Sequence, residues 1–141
     1  MSIPMILAPL FVQVILTFGL GSWLASLRTA ALRRGEVRAR DIALREPNWP
    51  PHILQVGYSF SSQFELPVLF YMLTILEIVT RQADLIFVIL AWVFVLSRLA
   101  HAYIHVTSNK IRLRGPLFGI GALVIVIMWI IFIVRIMFGL S

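Results

Sequence analysis

Six polar residues break into, and then run out of, an otherwise apolar stretch: Arg98, His101, His105, Asn109, Arg112 and Arg114. The run before them, from Leu85 to Ser97, is nearly all apolar, so Arg98 falls within a membrane-grade hydrophobic segment. An ionised arginine near the centre of a spanning helix costs about 2.5–3.5 kcal/mol on insertion scales, and it persists where it meets a partner, water or a ligand. Arg98, His101, His105 and Asn109 recur at helical spacing and share one face. Guanidinium and imidazole groups on one face suit anion binding. Arg114 stands beside Gly115-Pro116, which reads as the start of a helix with proline in its first turn. A cation there, added to free amides and a positive dipole end, favours a bound anion such as a thiolate. The same position equally suits a topology-setting arginine that meets lipid phosphate.

The preceding helix carries its own polar stripe, Tyr58, Ser61 or Ser62, and Glu65. A turn near Gln82 joins the two helices as an antiparallel pair. Glu65 and Arg98 lie at similar sequence distances from that turn, so both sit roughly 25 Å from the outer end at the helical rise per residue. A buried Glu65–Arg98 ion pair is predicted, which either fixes helix register or floors a cleft for a charged ligand. His101 and His105, four apart, can both reach one metal ion, with Glu65 as a candidate third ligand. That set is too small for an intramembrane metal enzyme, and no metal centre is expected. A proton or ion pathway would use the same residues. His52 reads as an interfacial residue, and Glu77 and Arg135 as structural charges that snorkel at the outer helix ends.

The elements that position these groups follow from composition. Of 141 residues, 60% are hydrophobic and 13% charged, and the mean hydropathy is +0.96. Soluble domains carry about 25% charged residues, so the chain reads as an integral membrane protein with a single domain over residues 1–141. The net charge of +6 could suggest nucleic acid. The cations instead cluster beside apolar segments, as topology signals do, and no nucleic-acid partner is expected. Cysteine is absent, which excludes disulfides, a protein thiol nucleophile and cysteine-ligated metal. The first apolar run lacks a basic n-region and exceeds an h-region of about 7–15 residues, so it reads as a retained first helix.

Four segments reach the roughly 20 residues that a bilayer core requires, at about 4–32, 53–80, 83–108 and 116–140. The fold class expected is all-α, an integral membrane four-helix bundle. Gly119 and Gly121 invite close helix contact without forming a GxxxG pattern. Asn48-Trp49-Pro50-Pro51 reads as an extended interfacial stretch that introduces the second helix. The first loop with its helix end holds Arg28, Arg33, Arg34, Arg38, Arg40 and Arg45, and the third loop holds Lys110, Arg112 and Arg114. The second loop holds only Arg81. The positive-inside rule therefore places loops one and three in the cytoplasm and both termini on the non-cytoplasmic side.

Glu65-Leu-Pro67, then Arg98-Leu-Ala-His101, then Arg112-Leu-Arg114-Gly-Pro resemble the MAPEG family, the membrane-associated proteins in eicosanoid and glutathione metabolism. Ser62-Gln-Phe-Glu-Leu-Pro-Val-Leu-Phe-Tyr71 is similar to a bacterial branch without an assigned pathway, which implies a bacterial inner membrane. The resemblance implies a homotrimer of four-helix bundles that binds glutathione as co-substrate at subunit interfaces open to the cytoplasm. It implies a glutathione transferase or peroxidase acting on lipophilic electrophiles, with membrane lipids around it. Its thiolate-stabilising arginine falls on Arg114, and its amine-binding glutamate on Glu65. Arg98 and His101 match the Arg-x-x-His of helix three, with Ser62 and His105 beside them, and Arg28 or Arg33 matches a helix-one carboxylate ligand. This chain departs from the family pattern at Tyr58 and Ser62, where characterised members carry Arg and Asn, and at His105 and Phe118, where several carry Tyr. The incomplete clamp leaves a second expectation open, a non-catalytic lipid-binding or scaffold protein of the same fold.

Overall fold

The computed structural model describes residues 2–42, 48–107 and 111–139. It is all-helical among these residues. Helix α1 spans Ile3–Arg33, a short α2 Ala39–Ile42, α3 Pro51–Ser62, α4 Leu66–Val79, α5 Leu85–Val106 and α6 Ile111–Met137. Helices long and apolar enough to cross a membrane cover Ile3–Arg33, Pro51–Val79, Leu85–Val106 and Arg114–Met137. The four expected spans are present, with two corrections.

The second span is not one continuous helix. Pro67 lies in the first turn of α4, and the chain breaks at Gln63-Phe64-Glu65. Proline lacks the amide that would bond the carbonyl four residues earlier, and its ring crowds that carbonyl. The turn before it tightens to three-residue bonds, Gln63 N to Phe60 O (3.0 Å), Phe64 N to Ser61 O (3.1 Å) and Glu65 N to Ser62 O (3.3 Å). The fourth span also starts earlier than expected. Helix α6 begins at Ile111, so Pro116 lies inside it and Arg114 falls within its first turn rather than ahead of it. Asn109 and the side chain of Arg112 lie outside the described residues.

Apolar packing forms two clusters. One joins Phe70 and Leu73 of α4, Ala91, Phe94 and Val95 of α5, and Ile125 and Met128 of α6. The other gathers Leu24 and Ala31 of α1 with Ile53 and Val56 of α3 and Val37 of the connecting segment. Helices α5 and α6 approach closely at Gly121, where a Cβ would lie 3.0 Å from Ser97 Oγ. Gly119 has open space beside it, so only one of the two glycines serves that contact.

The α4–α5 turn closes through Gln82 N to Glu77 O (3.0 Å), with Arg81 in the left-handed region at φ 58°. Asp84 caps α5 by accepting from Phe87 N at 3.0 Å. Arg135 ties the end of α6 to this turn, 2.8 Å from Asp84 Oδ2 and donating to Gln82 O at 3.3 Å. Arg135 thus pairs within the protein instead of snorkelling. Glu77 does not snorkel either. It is 2% exposed and lines a small void with Asp84 and Arg135, because it faces α5 and α6 rather than the outside.

Two outcomes follow. Gly121→Val should lower stability by roughly 1–3 kcal/mol through overpacking, read as a lower melting temperature in detergent. Burial opposes ionisation of Asp84, but the Phe87 amide and the Arg135 guanidinium outweigh it and hold the carboxyl below its ordinary 3.8. Its contribution is therefore present above pH 3.8 and is lost as pH falls through the lowered folded-state value. Asp84→Asn, which can still cap α5, should flatten the acid limb of a helicity-against-pH curve, whereas Asp84→Ala also loses about 1 kcal/mol of capping at neutral pH.

Candidate functional site

A helix break at membrane depth leaves carbonyls without main-chain donors, and lipid supplies none. Side chains supply them here. Gln63 Nε2 donates to Ser59 O at 2.8 Å, and Ser62 Oγ donates to the same carbonyl at 2.8 Å. Arg98 Nη2 reaches across from α5 to donate to Ser62 O at 3.2 Å and Ser62 Oγ at 2.7 Å. Gln13 of α1 donates through Nε2 to Gln63 Oε1 at 2.7 Å. Gln13 and Gln63 are 0% exposed and Arg98 1%. In the order of residues along each helix, this polar layer falls between the two apolar clusters.

The layer corrects the expected ion pair. Arg98 bonds Ser62 and not Glu65, since the break turns Glu65 outward to an exposed position. Equal depth on two continuous helices would have paired the charges; Pro67 removes the continuity. Arg98 keeps Nε and Nη1 buried without a hydrogen-bond partner.

Glu65 instead lines a cleft of ≈ 460 Å³ with Tyr58, Ser61 and Ser62 on one wall, His101 and His105 on the second, and Arg114, Gly115 and Phe118 on the third. That volume lies in the usual range for small-molecule sites, about 300–1,000 Å³. The histidine rings stand 5.6 Å apart at 71°, and Phe118 lies 6.0 Å from His101. Both Nδ1 atoms are buried without a hydrogen-bond partner. Helix geometry brings the pair together, four residues apart on α5. Among the described residues no cluster of three or more His, Cys, Asp or Glu is placed to hold a metal ion.

Of the residues expected in the site, the cleft gathers Ser62, Glu65, His101, His105 and Arg114. Arg98 lies behind its wall, reaching it through Ser62. Arg28 is elsewhere, with its guanidinium 5.1 Å over the Trp49 ring and 3.4 Å from where a Cβ on Gly57 would lie. His52 stacks edge-on against Trp23 at 5.5 Å, which locks the start of α3 to α1. The sequence reading passed over Gln13 and the role of Gln63. The available signal was Gln13 itself, the one amide side chain in α1, set deep among apolar and small residues and well before Arg28 and Arg33.

On the opposite side of the break, Phe60 and Phe64 form part of an apolar groove of ≈ 510 Å³ with Val14, Phe18, Gly21 and Tyr71. A Cβ on Gly21 would lie 2.9 Å from Phe60 Cε1, so the glycine sets how close α1 comes.

A four-span helical membrane protein with a charged cleft at a broken second span defines the class. The chain matches the MAPEG family over residues 6–134 and belongs to it. No curated protein and no solved structure matches the chain.

Ser62→Ala should cost about 1.5–3 kcal/mol, because it takes a hydrogen bond from a buried guanidinium. Pairing it with Arg98→Leu should recover much of the loss, since both partners are then apolar. A double-mutant cycle on melting in detergent reads the coupling.

Proposed function

We propose that this protein is a membrane-bound glutathione transferase or peroxidase that acts on lipophilic electrophiles. The observation that carries the reading is the shared cleft, in which the guanidinium-bearing Arg114 and the carboxyl-bearing Glu65 line one space. Membership of a glutathione-related family supports it. Arg114 holds the glutathione sulfur as thiolate, and Glu65 accepts hydrogen bonds from the ammonium group. The imidazoles of His101 and His105 orient the remaining polar groups, while the Ser62 hydroxyl, bonded to Ser59 O and Arg98, holds the cleft wall. Arg98 acts through Ser62 and fixes the cleft wall. In the transfer reaction sulfur forms a bond to the electrophilic carbon, whose leaving group departs with the electron pair. Fixed positive charge at Arg114 keeps the nucleophile ionised until then.

The electrophile reaches the cleft from the bilayer, along the apolar surfaces of the first and fourth spans. The reading includes a homotrimer in a bacterial inner membrane, with both termini on the non-cytoplasmic side. A carboxylate role for Arg28 then belongs to a cleft shared with a neighbouring subunit, because within one protomer Arg28 stands over Trp49. A second reading, a non-catalytic lipid-binding protein, draws on the apolar groove at Phe60 and Phe64.

Glutathione at a hundred times its Kd should stabilise the purified protein by about 2.7 kcal/mol in a thermal titration. Arg114→Ala should still fold without ligand, lose the thiolate absorbance, and slow transfer by about a hundredfold or more. No glutathione-dependent shift, together with a lipid-dependent one, selects the second reading.

A further inference from the structure

The cleft residues do not hold themselves in place, and the chain of bonds that holds them can be followed away from the cleft. Glu65 sits at the break, as the residue that leads into α4, with φ −99° and ψ −103°. Its amide is bonded to Ser62 O, and Ser62 is held by Arg98 on one side and Gln63 Nε2, at 3.2 Å from Ser62 Oγ, on the other. Gln63 cannot rotate freely. Its amide nitrogen is committed to Ser59 O, and its oxygen accepts from Gln13. Gln13 is the last link, on a different helix, buried, and outside the cleft lining.

We infer that Gln13 and Gln63 are positioning residues for the cleft. The Gln13–Gln63 bond fixes the geometry of the break that Pro67 forces, and so where Ser62 and Glu65 stand. The proposal rests on the reading of Glu65 as the ammonium-binding group. Two features separate it from simple packing. An amide pair in the interior is costly when half-made, whereas its replacement by two apolar side chains of similar shape is nearly neutral. A packing role is therefore satisfied by two leucines. A positioning role is not, because leucine at 63 leaves Ser59 O with one donor fewer and Ser62 Oγ with one partner fewer.

The chain has no cysteine, so Glu65→Cys creates a single thiol at the break. The test labels this protein, whole and in lipid nanodiscs, with a water-soluble maleimide, in the parent background and with Gln13→Leu and Gln63→Leu together. The expected result is a melting temperature close to that of the parent and a labelling rate changed by about fivefold or more. With Glu65 intact, the double variant should bind glutathione about tenfold more weakly, as loss of an orienting partner typically does. Unchanged labelling and unchanged affinity would overturn the inference. If the double variant does not assemble, Gln13→Asn, which keeps the amide but withdraws it by one methylene, is read in the same two ways. Should the parent bind no glutathione, the ligand assignment falls, and the labelling rates alone decide whether Gln13 and Gln63 position the break.

Discussion

A buried guanidinium and a broken helix face each other inside a membrane span, and each answers the other's deficit. Pro67 stops the second span from continuing as one helix, and the tightened turn before it takes the Gln63 amide to Phe60 O and away from Ser59 O. In water such a break is cheap. At lipid depth each unsatisfied group costs several kcal/mol. Arg98 would be equally costly alone, since it brings donors that hydrocarbon cannot accept. Joined through Ser62, with Gln63 and Gln13 completing the layer, the two meet part of each other's need, and Arg98 Nη2 gains two acceptors at the break. The helices then have a register that apolar packing alone would not impose, since lipid tails are as apolar as the core.

That unit also decides what faces outward. In an unbroken helix Glu65 would point to Arg98 and be spent on a structural pair. The break hands Arg98 to Ser62 and releases Glu65 to a cleft with His101, His105 and Arg114. The other side of the same turn presents Phe60 and Phe64 to an apolar groove. One irregular turn therefore separates a charged surface from an apolar one within a few residues. The proposed reaction, between a water-soluble thiol and a membrane-soluble partner, needs that division.

The spans were readable because bilayer thickness demands long apolar runs, and the third span ended within a turn of its expected limits. The cleft face of α5 was readable too, since a period of 3.6 residues puts His101 and His105 on one side. What composition hid was local. Pro67 was visible, yet its effect depends on whether side chains can compensate the break, which spacing does not reveal. Gln13 and Gln63 meet 50 residues apart in sequence, so no local pattern joins them. Gly115-Pro116 signalled a helix start, but α6 begins at Ile111 and carries Pro116 inside it. Arg114 consequently belongs to the helix whose dipole it was expected to supplement from outside.

The break at Gln63-Phe64-Glu65 leaves Glu65 and Arg114 lining one cleft, which is proposed to take glutathione. An experimental structure of the protein in lipid nanodiscs with glutathione bound tests it most directly. The ammonium is expected at Glu65 and the sulfur at Arg114, with Arg98 still bonded to Ser62 behind the wall. Glutathione found elsewhere, or Glu65 paired with Arg98 across an unbroken second span, would contradict it.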